Sequence, residues 1–441
     1  MTPTGMANAR LIEALTETRA RTLELVDDLT EAQLVGPRLQ IVNPLRWEIA
    51  HIAWFQEFWV LRHLGSHRPI LKRGDQLYDS ARVAHDTRWD LPLLERGETL
   101  AYMQQVLERV IDHAVDNGLT DAEGSDQEYF LNLVLLHEQM HDEAITYTLQ
   151  TLGYPAPAIA AVNKVRFAKQ DATLAHAHND LTSDAQIPGG KFVLGSERKQ
   201  GFVFDNEQLA HEIEIAPFAI SKTAVTNGEF KHFVEDNGHS RSELWTTEGW
   251  RCRSGANAEH PVYWRGEGNG RWLRRNFDEW VALDERLPVI HVNWHEADSY
   301  CRWAGRRLPT EAEWEVAASA APAGHKRAFP WGNNSSTPER ANLDSRALGC
   351  IAADALPEGD SAFGCRQMIG NVWEWTASDF KPYPGFVAGP YKEYSEPWFG
   401  NHKVLRGGCW TTRSHLIHNT YRNFYTPDRR DVLAGLRTCA L

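Results

Sequence analysis

The chain has 441 residues, with 46 Lys and Arg against 59 Asp and Glu, giving a formal net charge of −13. That length exceeds one ordinary hydrophobic core and predicts two domains, or three. The acidic balance argues against nucleic acid or an anionic membrane as the main partner, and no apolar run is long enough to span a bilayer.

The first residues, Met1 to Gly5, lead into a polar amphipathic segment and not into a signal-peptide core, which predicts a cytoplasmic protein. Leu11, Leu15, Leu25 and Leu29 mark a first helix. Asn43 and Pro44 read as the N-cap and first-turn proline of a second, running to about Leu64. Along it Trp47, His51, Trp54, Phe55 and Phe58 share one apolar stripe, so His51 faces the core. A long connection follows. Leu100, Leu107, Val110, Ile111 and Ala114 stripe a third helix. Phe130, Leu133, Val134, His137, His141, Ile145 and Thr148 stripe a fourth, which stops near Gly153. Helices in this order predict a four-helix bundle over residues 1–153.

Tyr154-Pro155-Ala156-Pro157 opens a linker expected over 154–186. From 187 to 441 the pattern changes to short strands, glycines and aromatic dipeptides, so the chain as a whole reads as α+β. Ile187 to Gly195 reads as a turn into a strand. Leu308 to Glu315 reads as a short helix with Thr310 as N-cap and Glu313 completing a capping box. Most of the 17 tryptophans lie in this half, where they fill cores or line pockets for flat or cationic ligands. All six cysteines, Cys252, Cys301, Cys350, Cys365, Cys409 and Cys439, lie here too, with no C-x-x-C pair. They read as free thiols of a reducing compartment.

His137 and His141 stand four apart in His137-Glu138-Gln139-Met140-His141, which puts both imidazoles on one helix face. With His51 facing inward from another helix, three imidazoles converge where hydrogen bonds alone would hardly satisfy them. A metal resolves that problem and leaves coordination positions open. Imidazole suits zinc, copper, iron and nickel alike, so residue type does not choose the ion. Glu138, Asp142 and Glu143 read either as partners of the histidines or as a solvated face. The same pentapeptide fits the H-E-x-x-H protease signature, with Glu138 as base. The segment Asp142-Glu143-Ala144-Ile145 offers no further ligand for that reading.

Together, Trp47-Glu48-Ile49-Ala50-His51 and His137-x-x-x-His141 resemble the three-histidine iron site of the ergothioneine-type sulfoxide synthases. Those enzymes join a DinB-like four-helix bundle to a C-type-lectin-like domain of the formylglycine-generating-enzyme type. The second half resembles that domain through Arg307 to Glu315, Gly370-Asn371-Val372-Trp373-Glu374-Trp375 and Val404-Leu405-Arg406-Gly407-Gly408-Cys409-Trp410. A formylglycine-generating copper oxidase needs a cysteine pair after the Arg-Gly-Gly motif. Cys409 lies within that motif and Cys439 is distant, so the spacing excludes it.

The resemblance implies Fe(II)- and O2-dependent bond formation between the imidazole carbon of hercynine and a chalcogen, giving a sulfoxide or selenoxide. It implies His51, His137 and His141 as iron ligands, Tyr391 as the catalytic side chain, and Asn423 with Phe424 around the betaine end of the acceptor. The branch that uses γ-glutamylcysteine carries two arginines three apart; here the pair becomes His85 and Arg88. An aspartate of that branch is replaced by Tyr425, and a glutamine before the last ligand by Met140. Losing one arginine and one aspartate removes the charges that fit a dicarboxylate, amine-bearing thiol. His85, Arg88 and Tyr425 suit a neutral, hydroxyl-rich donor better. The stretch Tyr78 to Leu93 is similar to the selenoneine synthases, whose donor is a selenosugar. The alternatives are a sulfur donor, γ-glutamylcysteine or cysteine, and a lectin-like binding protein without catalysis.

Overall fold

The computed structural model describes residues 3–116, 125–160, 181–197, 202–321 and 325–441. Most of the segment expected as a linker therefore lies outside the described residues. The chain divides into two compact units, one of Met1–Ala160 with Arg198–Phe202, the other of Ala161–Glu197 with Val203–Leu441. No helix among the described residues is long and apolar enough to cross a membrane.

The first unit is helical. Its elements are α1 (Pro3–Val26), α2 (Glu31–Val35), α3 (Leu45–Gln56), α4 (Gly74–Tyr78), α5 (Arg96–Asp116) and α6 (Asp126–Leu152). α3 packs on α5 and α6, and α1 packs on α6 and α5, which makes the bundle. Gly153 ends α6 with φ 66°, a left-handed turn that glycine adopts without a Cβ penalty.

Three local expectations differ from what forms. α1 stops at Val26, and Leu29 is buried from the loop that follows. Pro44, not Asn43, is the N-cap of α3, because Asn43 Oδ1 accepts a 2.6 Å hydrogen bond from Arg88 instead. The second helix does run to Leu64, but its last part, Glu57–Leu64, is π-helical. There Glu57 turns inward and accepts from the Tyr102 hydroxyl at 2.7 Å.

The second unit begins with β1 (Asp184–Ile187), β2 (Gly190–Leu194), β3 (His211–Ile215) and β4 (Phe218–Ser221). Next come α7 (Asn227–Glu235), α8 (Thr247–Gly255), the meander β5 (Trp264–Gly268), β6 (Arg271–Asn276) and β7 (Glu279–Ala282), then α9 (Trp294–Trp303). β8 (Arg306–Arg307), α10 (Glu311–Ser319), β9 (Trp373–Asp379), β10 (Lys403–Arg406), β11 (Asn423–Tyr425), β12 (Ala434–Leu436) and β13 (Cys439–Ala440) complete it. Thr310 and Glu313 form the capping box of α10 in both directions.

One sheet orders its strands β1-β4-β13-β8 and another β11-β10-β9-β12, with β12 parallel to β9. The Trp373-Glu374-Trp375 run forms the start of β9. Both indoles are buried, and Glu374 accepts from Arg437 at 2.9 Å and from the Trp314 indole at 2.7 Å. This motif therefore anchors α10 and the last strands to the sheet. β10, held beside β9, carries β11 on its other edge and fixes the position of residues 423–425. All six cysteines are free, and Cys409 and Cys439 are buried.

Candidate metal centre

His51 leaves α3, and His137 and His141 leave successive turns of α6. One ligand atom from each lies within 4.8 Å of the others, the sole such His/Cys/Asp/Glu group among the described residues. α3 supplies the walls as well as a ligand. The Trp47 ring lies parallel to His51 at 4.8 Å, and Trp54 stacks on its other neighbour position at 5.8 Å. Phe55 stacks on His137 at 3.6 Å with an interplanar angle of 6°. These contacts limit ring rotation, which a metal site requires of its ligands.

The outer nitrogens set the tautomers. His51 Nδ1 donates to the Tyr78 carbonyl at 2.7 Å, leaving Nε2 with a lone pair. His141 Nδ1 donates to Glu48 Oε1 at 2.8 Å, again leaving Nε2. Burial, reinforced by His141, holds His51 well below the usual imidazole value. Burial also holds His137 low, with His141 and His51 adding to it. Neutral imidazoles are the form that binds metal, so protein packing presents the site ready to accept a cation. Three convergent imidazole nitrogens backed by a buried carboxylate fit a divalent transition metal with open positions.

The acidic neighbours divide. Glu138 and Asp142 are buried, not a solvated face. Glu138 accepts from Arg19 Nε at 2.7 Å and from Gln56 at 2.7 Å, so it is spent on tying α1 and α3 to α6. A carboxylate held in that way does not serve as a protease base. Glu48 was not singled out in the sequence, although a charge three residues before His51 in an apolar stripe is the trace it leaves. The Tyr78 carbonyl leaves no trace, because any residue carries one.

The structure places the donor-side candidates near the ends of α3 and α4. Arg88 lies 3.8 Å over the Trp47 ring, and its two terminal nitrogens donate to Asn43 Oδ1 and the Val83 carbonyl. Burial pushes its pKa down to about 10, with Glu48 opposing. His85 opens a short 3-10 turn, and its Nε2 is 2.7 Å from the Val42 carbonyl. Met140 is partly exposed on α6 beside His141.

In the second unit, Tyr391 precedes a 3-10 turn and stacks with Tyr394 at 6.1 Å. Asn423, Phe424 and Tyr425 are consecutive on β11, so Asn423 and Tyr425 share one face and Phe424 takes the other. Phe424 stacks on Phe380 at 4.0 Å. Of the residues expected around the acceptor, Asn423 and Phe424 thus point to opposite faces of β11. Arg429 lies 5.0 Å over the Tyr425 ring.

Comparison with known proteins covers the same two halves. Residues 170–440 match the sulfatase-modifying factor enzyme 1-like domain, and residues 14–145 match the DinB superfamily. A hercynine oxygenase of Mycobacterium tuberculosis is 36% identical over 428 residues, covering 96% of each chain. A hercynine oxygenase of Mycolicibacterium smegmatis is 34% identical over 449 residues, covering 98% of this chain and 99% of that protein. A formylglycine-generating enzyme of Streptomyces coelicolor is 32% identical over 288 residues, covering 58% of this chain and 88% of that protein.

Proposed function

The chain belongs to the hercynine oxygenase family of oxygen-dependent oxidoreductases, and on that premise we propose that it is an iron(II)-dependent selenoneine synthase. It joins the imidazole C2 of hercynine to the selenium of a selenosugar, giving a selenoxide. The observation that carries the metal part is the convergence of His51, His137 and His141 within 4.8 Å. Iron(II), when bound, supplies the activation of O2.

The protein's own residues do the rest. His51 and His141 keep fixed tautomers through Tyr78 and Glu48, so each presents one lone pair. Tyr391 is the catalytic side chain: its phenolic O–H is the group that assists at the reacting centre, as proton or electron donor, a role a phenylalanine cannot fill. Asn423 supplies an amide at the betaine end of the acceptor, and Tyr425 on the same strand face supplies a hydroxyl for the donor. Met140, beside His141, offers an apolar contact to the acceptor.

The donor assignment is supported by how Arg88 and His85 are used. Arg88 gives both terminal nitrogens to Asn43 and Val83, and His85 gives Nε2 to Val42. Groups engaged in that way leave little to clamp a dicarboxylate, whereas sugar hydroxyls need no such clamp. One observation favours the second reading, a sulfur donor such as γ-glutamylcysteine or cysteine. Arg88 Nε is buried with no hydrogen-bond partner and would suit one carboxylate oxygen.

Anaerobic reconstitution with iron(II), followed by O2 with hercynine and each donor in turn, tests both readings by mass spectrometry. A selenoxide adduct formed faster with the selenosugar supports the first. Equal or faster turnover with γ-glutamylcysteine replaces it with the second, and no product with any donor rejects both.

A further inference from the structure

Two of the three histidines are held from behind by different groups. His51 leans on a neutral carbonyl, Tyr78 O, whereas His141 leans on a carboxylate, Glu48 Oε1, at 2.8 Å. Glu48 is 1% exposed, and it comes from α3, the helix that also supplies His51. Glu48 lies three positions before His51, so one turn of α3 provides the first ligand and grips the third. A carboxylate is costly to bury without a partner, and the His141 N–H is the partner the structure gives it. The nearby cation, Arg88, spends its hydrogen bonds on the neutral oxygens of Asn43 and Val83.

We propose that Glu48 is the charged positioning residue of the metal centre: through His141 it fixes one ligand's orientation and places a negative charge behind it. An imidazole whose outer N–H is held by a carboxylate is a stronger donor than one held by a carbonyl. The centre is thereby asymmetric, with His141 its strongest ligand. Glu48 also ties α3 to α6, so ordering of the site and packing of the two helices reinforce each other. The inference rests on the reading that the histidines hold a metal.

The test uses cobalt(II), alone and without oxygen, titrated into the metal-free full chain. The visible ligand-field bands report the coordination of the ion, and the titration reports affinity. Glu48→Gln keeps an oxygen acceptor for His141 but removes the charge. It is expected to weaken cobalt binding about 10- to 100-fold and to move the bands, while the unfolding midpoint of the metal-free protein stays close to that of the wild type. Affinity within twofold of wild type overturns the proposal, and so does weaker binding with unmoved bands, which marks a purely structural role. If Glu48→Gln does not fold, Glu48→Asp decides: it keeps the charge and withdraws the oxygen by one methylene. Intermediate affinity with displaced bands supports the proposal, and wild-type values overturn it. His51→Ala is measured alongside. If it binds cobalt as the wild type does, the three-histidine reading fails and the proposal falls with it, an outcome distinct from an unaltered Glu48 variant.

Discussion

Glu138, the residue after the candidate ligand His137, is locked to Arg19: Nε lies 2.7 Å from Oε1 and the second nitrogen 3.2 Å from Oε2. Both side chains are buried, and Gln56 and Thr22 complete the carboxylate's shell. The pair fastens α1 to the helix that bears His137 and His141. Arg19→Met strands the carboxylate and is expected to cost about 3–5 kcal/mol, read from urea unfolding. Adding Glu138→Gln to it should recover part of that loss, since the stranded charge is then gone. A double variant no more stable than Arg19→Met would show that the charge is not what Arg19 compensates.

Removing a ligand should remove the metal without removing the fold. His51→Ala or His141→Ala is expected to take bound iron from about one ion per chain to near zero. Elemental analysis after anaerobic desalting measures this, with far-ultraviolet dichroism as the check on the bundle. Full iron binding by His51→Ala would dissolve the three-histidine reading.

Tyr391→Phe separates chemistry from binding. If the phenolic O–H assists at the reacting centre, turnover should fall about 100-fold or more while iron content stays at the wild-type level. Steady-state rates and metal analysis on one preparation settle it. Unchanged turnover would leave Tyr391 a packing partner of Tyr394.

His291 sets part of the acid sensitivity of the second unit. Burial is the main cause that pushes its pKa from 6.5 to about 3, with Arg274 adding to it, and Nδ1 donates to the Asp431 carbonyl at 3.0 Å. Between those two values the unfolded chain holds a proton that the folded chain does not. The contribution of His291 is therefore fully present above pH 6.5 and is expected to fall by about 1.4 kcal/mol per pH unit as pH drops toward 3. His291 has φ 63°, a left-handed conformation that asparagine tolerates, and an amide can donate to the same carbonyl. His291→Asn is expected to flatten the pH dependence of the urea midpoint between pH 6.5 and 4.5 by about that slope. An unaltered slope would mean that His291 titrates normally.

Arg88 should matter for stability whatever the donor is. It covers Trp47, which in turn lies parallel to His51. Arg88→Met is expected to cost about 1–2 kcal/mol in thermal or urea unfolding of the metal-free protein, from the lost cation–π contact and hydrogen bonds. No change in stability would show that the stack contributes nothing.

Much of the architecture was legible because it is written in short-range patterns. The stripe through His137 and His141, the left-handed stop at Gly153 and the capping box of Thr310 and Glu313 each depend on residues within one or two turns. Spacing alone put two imidazoles on one face, and the apolar stripe around His51 turned the third inward. Family motifs extended that reading to the second unit, where Trp373 and Trp375 fill the core.

Other features depended on partners far along the chain. Asn43 looked like a cap, but Arg88, 45 residues later, takes its oxygen. Glu138 looked like a base or a surface charge until Arg19, 119 residues away, claimed it. Glu48 carries no local sign of its partner, and only the packing of α3 against α6 brings it to His141. Asn423 and Phe424 looked like one cluster, and pairing of β11 with β10 sends them to opposite faces. By itself, then, the sequence pointed His51, His137 and His141 inward, because helix periodicity is local, and the three do converge. The tertiary structure decided which groups stand behind His51 and His141, because a buried polar atom takes whichever partner packing delivers, from any distance along the chain.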